Sequence, residues 1–135
     1  MPETREGRGL LDTSALIALD AVPCLPELAS IAAVTLAEVA AGPHATSDPV
    51  ERGRRQARLQ VIEATFDALP FDVACARAYG RAYAQVADGG RKVRGRRAVD
   101  LLIAATAIAH ELPLYTRNAD DLRGLEPLLE IVDCA

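Results

Sequence analysis

The sequence has few of the residues that characterise secreted, disulfide-stabilised or redox-active domains. Its 135 residues include three cysteines and no tryptophan. Cys24, Cys75 and Cys134 are odd in number and stand far apart, so they form neither a zinc or redox spacing nor a disulfide framework. We therefore expect three reduced thiols in a cytoplasmic protein.

Long hydrophobic runs are also missing. The longest, from Leu101 to Ala109, has nine residues and includes Thr106, whereas a membrane span needs about 18. Residues 1–8 are polar and contain no apolar stretch of the signal-peptide type, so we expect a short flexible tail there. Residues 9–135 are enough for one compact domain with a buried core, and we predict no membrane association.

The signatures of several common enzyme classes are absent. The chain has two histidines, His44 and His110, which excludes a metal site built from three histidines. It contains no Walker motif, no dinucleotide-binding glycine pattern and no Gly-x-Ser-x-Gly turn. Nucleotide binding of these types and serine hydrolase chemistry are therefore not indicated.

Positive charge is scarce overall but locally concentrated. Fifteen Lys and Arg stand against nineteen Asp and Glu, and the net charge of −4 argues against a nucleic-acid coating over the whole chain. Nine of the fifteen basic residues lie in two windows: Arg52, Arg54, Arg55 and Arg58, then Arg91, Lys92, Arg94, Arg96 and Arg97. The first window fits a solvated face as well as a binding surface. The second precedes Asp100 directly and predicts an anion-binding loop, in which Arg94, Arg96 and Arg97 contact backbone phosphates.

Short apolar segments alternate with helical patterns along the chain. Candidate strands lie at residues 10–11, 30–34, 69–71, 113–116 and 130–133, and helices or helical turns at 13–19, 35–41, 49–66, 73–88, 98–112 and 119–122. Thr13 or Ser14 is suited to cap the first helix, and Thr35 with Glu38 fits a capping box for the second. The alternation predicts an α/β fold: one domain with a central parallel sheet and helices on both faces.

Acidic residues follow the predicted strands. Asp12 ends the first strand and Glu38 lies in the first turn after the second, while Asp100 follows the basic loop and Asp121 follows the fourth strand. Because sites in open parallel sheets form beyond the carboxyl ends of the strands, we expect these side chains to converge. Acids in first turns also stabilise helices by about 0.3–1 kcal/mol with no catalysis required. That structural explanation fits Glu38, but it leaves Asp12 without a reason.

A converged acidic cluster needs a counterion. Two carboxylates about 4 Å apart repel by roughly 4 kcal/mol at an effective dielectric constant of 20. Ligand sets made only of oxygen select hard ions such as Mg²⁺ or Mn²⁺. Such a site favours metal-assisted hydrolysis, with a phosphodiester as the natural substrate beside the basic loop.

Four segments of the chain carry a resemblance to a known family. They read Leu-Leu-Asp-Thr-Ser-Ala-Leu-Ile-Ala-Leu (10–19), Thr-Leu-Ala-Glu-Val-Ala-Ala-Gly (35–42), Arg-Ala-Val-Asp-Leu-Leu-Ile-Ala-Ala-Thr-Ala (97–107) and Leu-Tyr-Thr-Arg-Asn-Ala-Asp-Asp-Leu (114–122). In this order they resemble the motifs of PIN-domain ribonucleases, above all the VapC-type toxins of bacterial toxin–antitoxin pairs. The resemblance implies an endoribonuclease that depends on Mg²⁺ or Mn²⁺ and cuts tRNA or rRNA. It also implies a homodimer that a cognate VapB-type antitoxin silences.

The same resemblance assigns roles to individual residues. Asp12, Glu38 and Asp100 take the three main acidic positions, and Asp12 and Asp100 are the expected metal ligands. Many relatives carry a fourth Asp where this chain has Asn118, so that the fourth position falls to Asn118 or to Asp121. By the same resemblance, the hydroxyl of Thr116 orients a ligand or a water.

Two alternatives stay open at this point. One is a signalling module of the receiver type, which holds Mg²⁺ and accepts a phosphoryl group; the absence of an acidic residue beside Asp12 disfavours it. The other is a PIN-like fold that binds RNA or protein without catalysis, which the presence of Asn118 keeps open. An Asp-x-Asp phosphatase is disfavoured because Ser14 stands at the second Asp position.

Overall fold

A computed structural model of the chain describes residues 7–135. The strands are β1 (Arg8–Leu11), β2 (Leu28–Ala32), β3 (Asp67–Leu69), β4 (Leu114–Thr116) and β5 (Ile131–Asp133). The helices are α1 (Thr13–Ile17), α2 (Ala33–Ala41), α3 (Pro49–Thr65), α4 (Val73–Asp88) and α5 (Arg96–Ala109). The tail predicted for residues 1–8 lies outside the described residues except for Gly7 and Arg8, and Arg8 already belongs to β1. Within the described part of the chain no helix is both long and apolar enough to span a bilayer.

The five strands form one parallel sheet in the order β3-β2-β1-β4-β5. β1 lies at its centre, with Leu11 beside Ile31 of β2 and Tyr115 of β4. This arrangement confirms the predicted α/β fold with a parallel sheet. Receiver modules have the strand order 2-1-3-4-5, so the topology also excludes that alternative.

Successive residues of β1 point to opposite faces of the sheet, as strand geometry requires. Leu10 belongs to one apolar cluster, together with side chains of α4 and α5 such as Val86 and Leu101. Leu11 belongs to a second cluster, which contains Leu16 of α1 and Ile62 of α3. The two clusters confirm that helices cover both faces of the sheet, and they leave its carboxyl edge uncovered.

Several element boundaries differ from the prediction, because strand pairing determines where they fall. β2 begins at Leu28, which pairs with Arg8 of β1, and ends at Ala32, which pairs with Leu69 of β3. β3 ends at Leu69 and does not extend to Phe71, since Pro70 has no N–H to continue the ladder. α5 begins at Arg96, within the stretch whose sequence predicts a loop.

Two arginines of the first basic window donate hydrogen bonds to backbone carbonyls. The guanidinium of Arg52 donates to the carbonyls of Pro43 (3.1 Å) and Thr46 (2.8 Å). That of Arg55 donates to the carbonyl of Gly42 at 2.9 Å. These bonds satisfy the carbonyls of the turn that follows α2. These two arginines of the window therefore serve the fold.

One prediction concerns a close approach in β1. A Cβ atom placed on Gly9 would lie 2.8 Å from Cδ1 of the Tyr115 ring. We expect Gly9→Ala to lower the free energy of unfolding by about 1–3 kcal/mol, because the ring must move out of its place. Gly53→Ala is the matched control, since its Cβ would meet no atom within 4 Å. Because Gly53 lies inside α3, Gly53→Ala is expected to raise the free energy of unfolding by about 0.5–1 kcal/mol. Urea unfolding measures both, and a neutral Gly9→Ala would contradict the close packing.

Candidate functional site

Asp12 stands directly beyond β1, at the carboxyl edge of the sheet. Its backbone N–H donates to the carbonyl of Tyr115 at 3.0 Å, which fixes its position relative to β4. Its Oδ1 accepts from the backbone N–H of Ala15 at 2.9 Å and from the hydroxyl of Ser14 at 2.7 Å. Asp12 itself is therefore the N-cap of α1. The prediction that Thr13 or Ser14 caps this helix was wrong, and Asp12 does have a structural reason to be acidic.

Glu38 lies on the second turn of α2 and is not a capping residue. The helix begins at Ala33 and its N-cap, Ala32, makes no side-chain hydrogen bond, so the predicted capping box of Thr35 and Glu38 was wrong. Oε1 of Glu38 instead accepts from the hydroxyl of Thr13 at 2.6 Å. Its Oε2 accepts from Nη1 of Arg96 at 2.8 Å. The carboxylate is thus turned across the sheet edge towards α1 and α5.

Asp100 lies on the second turn of α5 and is half-buried. Burial raises the pKa of its carboxyl group to about 6; the nearby Arg96 opposes this, while Asp12, Asp121 and Glu38 raise the pKa further. The other three carboxylates therefore lie close enough to Asp100 to act on it electrostatically. The structure therefore brings together the acids whose convergence the sequence predicted.

A cavity of about 280 Å³ opens between these elements. Asp12, Asp100, Asn118 and Asp121 line it, together with Ser14 and Arg96 among others. Glu38 lies outside this cavity and lines a neighbouring one, which shares the walls formed by Thr13 and Arg96. The acidic site thus consists of two adjoining compartments, with Glu38 on the far side of Thr13.

Thr116 lies beside the site and holds the backbone of Asn118, but it does not line the cavity. Its buried hydroxyl accepts from the backbone N–H of Asn118 at 3.0 Å and lies 3.4 Å from the hydroxyl of Ser14. The hydroxyl of Ser14 also accepts from the backbone N–H of Arg117 at 3.0 Å. These bonds connect α1 to the segment after β4. The backbone N–H of Asp121 in turn donates to the carbonyl of Asn118 at 3.0 Å.

The second basic window forms a wall beside the acids. A wider cavity of about 660 Å³ adjoins Asp100 and Asp121 and is lined by Arg91, Lys92, Arg94, Arg96 and Arg97, among others. Nη1 of Arg97 lies 3.4 Å from the carbonyl of Lys92, and Nη1 of Arg91 lies 3.3 Å from the carbonyl of Asp120. Positive and negative charge therefore meet along one edge of the molecule.

Sequence reasoning missed two participants in this site. The sequence indicates Ser14 only as a helix cap or as the residue at the second position of an Asp-x-Asp motif. In the structure its hydroxyl connects Asp12 to the backbone of Arg117. The sequence predicts that Arg96 binds RNA, but Arg96 is also the ion-pair partner of Glu38. The Asp-Thr-Ser sequence after β1 indicates a role for Ser14 beside Asp12. No local pattern indicates the ion pair of Arg96 with Glu38, because the two residues are 58 positions apart.

The oxygen ligands around the cavity fit a hard divalent ion. Carboxylates and an amide are the groups that Mg²⁺ and Mn²⁺ accept, and Mg²⁺ needs only one or two carboxylates besides its waters. Among residues 7–135 no three His, Cys, Asp or Glu side chains form a ready-made ligand shell. Glu38, which Thr13 and Arg96 hold, lines the adjoining compartment.

Comparison with known proteins identifies the class. Residues 10–125 match the sequence profile of the PIN domain, and the chain belongs to the PIN-domain family.

Individual relatives agree with this assignment. The chain is 34% identical over 128 residues to Ribonuclease VapC5 of Mycobacterium tuberculosis, covering 91% of both proteins. It is 32% identical over 130 residues to Ribonuclease VapC of Rickettsia bellii, covering 91% of this chain and 93% of the relative. Its fold matches a crystal structure of VapBC-5, a toxin–antitoxin system of Mycobacterium tuberculosis, with a TM-score of 0.82, 34% identity and coverage of 94% and 98%. The predicted resemblance to VapC-type proteins is thereby confirmed.

Proposed function

We propose that this protein is a metal-dependent endoribonuclease and the toxin of a toxin–antitoxin pair. The observation that carries the proposal is the gathering of Asp12, Glu38, Asp100 and Asp121 beside a wall of arginines in a PIN-domain fold. The acids provide a site for a divalent ion, and the arginines provide one for a phosphate backbone. Relatives of similar length and sequence are named as ribonucleases. RNA phosphodiesters are the substrate class that both halves of the site fit.

Asp12 and Asp100 would hold the ion, with Asn118 or Asp121 completing the set. Asp12 lines the cavity, and the bonds from Ser14 and Ala15 that orient its carboxylate are both accepted by Oδ1. A bound Mg²⁺ or Mn²⁺ supplies a more acidic water and positive charge beside the phosphoryl oxygens. Thr116 acts as a positioning residue, since its hydroxyl holds the backbone of Asn118.

Glu38 is the carboxylate that remains to take up a proton. Each of its oxygens already accepts one hydrogen bond, from Thr13 and from Arg96, and each keeps a second lone pair. Its fixed orientation suits a general base that receives a proton from the attacking water. Arg96 pairs with Glu38 and lines both acidic compartments as well as the basic cavity. In this proposal the arginines of the basic wall orient the RNA strand, and Glu38 accepts the proton.

Cleavage of RNA by the purified protein tests the proposal. With Mn²⁺ or Mg²⁺ we expect internal cuts in tRNA or rRNA, and a chelator is expected to abolish them. Cleavage that survives chelation would overturn the metal-dependent mechanism. Binding of RNA in a gel-shift assay without turnover would favour the non-catalytic alternative.

The partners follow from the same assignment. The structural neighbour VapBC-5 is a toxin–antitoxin complex, and we propose that a cognate VapB-type antitoxin silences this protein in the cytoplasm. We further propose a homodimer.

Two experiments test these partners. Co-expression with the product of a short neighbouring reading frame should relieve growth arrest. Light scattering should give the mass of a dimer for the toxin alone. Growth arrest that the partner leaves unchanged would contradict the pairing.

A further prediction concerns the basic wall. Replacing Arg94, Arg96 and Arg97 by Ala should weaken RNA binding and make its dependence on salt shallower, by about 0.7 in the logarithmic slope for each phosphate that the variant no longer neutralises. Fluorescence anisotropy at several salt concentrations measures both. The matched control removes the same charge from Arg54, Arg77 and Arg81, exposed residues that line neither acidic compartment nor the basic cavity. An unchanged slope in the first variant would remove this wall from the RNA-binding surface.

A further inference from the structure

Two of the three cysteines lie side by side although they stand at opposite ends of the chain. Sγ of Cys24 lies 3.4 Å from Sγ of Cys134, across a separation of 110 residues. The thiol of Cys134 also lies 3.5 Å from the backbone carbonyl of Cys24. Both thiols are free in the structure. These two thiols are close enough to react with each other.

The surrounding backbone holds this pair in place. Cys134 directly follows β5, and its N–H donates to the carbonyl of Thr116 at 2.7 Å, which extends the pairing between β5 and β4. Cys24 lies in the segment that leads from α1 to β2. Neither sulfur lines the cavities at the acidic cluster. The pair therefore has one anchored partner, Cys134, and lies outside the lining of the acidic compartments.

We propose that Cys24 and Cys134 form a redox modification site that closes to an intramolecular disulfide in the presence of a low-molecular-weight disulfide such as oxidised glutathione. This goes beyond the proposed ribonuclease activity and does not depend on it. Disulfides in reducing compartments are usually transient and redox-sensing, which is the use that such a pair fits.

The chemistry follows from the unequal exposure of the two thiols. Cys24 is partly exposed, whereas Cys134 is fully buried, and burial together with the hydrogen bond from Cys24 raises the pKa of the Cys134 thiol to about 12. Cys24 therefore attacks the oxidant first: its thiolate forms a mixed disulfide and releases one glutathione thiolate. Sulfur of Cys134, losing its proton, then attacks Sγ of Cys24 and expels the second glutathione thiolate, which takes up a proton. Two thiols are oxidised and one glutathione disulfide is reduced to two thiols.

The reduced, full-length protein treated with oxidised glutathione provides the test. We expect loss of two of the three free thiols, a disulfide-linked peptide pair containing Cys24 and Cys134, and full reversal by dithiothreitol. Because the bond would close a loop of 110 residues, the melting temperature should rise by about 10 °C. Retention of all three thiols, a stable glutathione adduct on Cys24, or a disulfide-linked dimer would each overturn the proposal.

Single-cysteine variants separate the two steps. Cys134→Ser should stop at a glutathione adduct on Cys24, and Cys24→Ser should retain its two other thiols with no rise in melting temperature. The partly exposed Cys24 tolerates replacement better than the buried Cys134, so the second variant keeps the test valid if the first does not fold. Cys75→Ala is the matched control, since that thiol lies elsewhere, 3.6 Å from the carbonyl of Pro70. It should oxidise as the wild type does.

Discussion

Replacing Asp100 by Asn should strongly slow RNA cleavage while making the metal-free protein more stable. The carboxylate is half-buried among three other acids, and its pKa is raised to about 6 by burial first and then by Asp12, Asp121 and Glu38, against the opposing charge of Arg96. At pH 7.5 the ionised group therefore destabilises the folded state, and the amide removes that effect. After allowance for its partial exposure, we expect a gain of about 1–2 kcal/mol in the free energy of unfolding. The cleavage rate should fall by at least about 100-fold, the effect of removing one group that stabilises the charge of a reaction's transition state.

The sign of the pH dependence follows from the direction of this shift. A carboxyl group whose pKa is higher in the folded than in the unfolded state stabilises the fold below its unfolded value of 3.8, and that contribution is lost as the pH rises through about 6. In a chelator, the stability difference between Asp100→Asn and the wild type should therefore grow between pH 4 and pH 7. Urea unfolding at several pH values measures it.

Divalent ions should reverse this order of stability. Mn²⁺ neutralises the acids of the wild type and should raise its melting temperature, but it should stabilise Asp100→Asn much less. Asp88→Asn, an exposed acid at the end of α4, is the matched control and should behave like the wild type. An Asp100→Asn variant that keeps full activity, or that gains as much from Mn²⁺ as the wild type, would refute the assignment of Asp100 as a ligand.

Most of the fold could be predicted because its signals are local. The alternation of apolar segments and helical patterns indicated the parallel sheet, and Asp48 before Pro49 and Asp72 before Val73 indicated where α3 and α4 begin. Gly89, which follows α4, likewise marked its end. Each of these signals depends on the backbone within a few residues, so neighbours in sequence are sufficient to specify it.

The errors arose where tertiary contacts override a local preference. Thr35 and Glu38 have capping-box spacing, but β2 ends at Ala32, which pairs with Leu69 of β3. The helix has therefore already begun when Thr35 is reached. The convergence of the acids followed from topology, since Asp12 and Asp121 follow parallel strands and Glu38 and Asp100 lie in the second turns of α2 and α5. The contacts of Glu38 could not be predicted in this way, because its bond to Thr13 and its ion pair with Arg96 each join segments that are distant in sequence.

The fourth acidic position provides the last prediction, because Asn118 and Asp121 both line the cavity. Asn118 brings no charge, whereas Asp121 acts on Asp100 electrostatically. We therefore expect Asp121→Asn to lower the affinity for Mn²⁺ about tenfold and the cleavage rate by about 10–100-fold. Asn118→Asp should raise the affinity for Mn²⁺ about tenfold, since it adds a carboxylate to a site that attracts cations. Isothermal titration with Mn²⁺ and single-turnover cleavage measure the two effects.

The double variant Asp121→Asn with Asn118→Asp decides which residue fills the position. If one negative charge at this point of the cavity is what the ion requires, the double variant should recover most of the affinity that Asp121→Asn loses. Asp120→Asn is the matched control, because this exposed neighbour removes the same charge from the same turn without lining the cavity. A neutral Asp121→Asn together with a damaging Asn118→Ala would instead assign the fourth position to the amide, since the ion would then need an oxygen ligand there and no further charge.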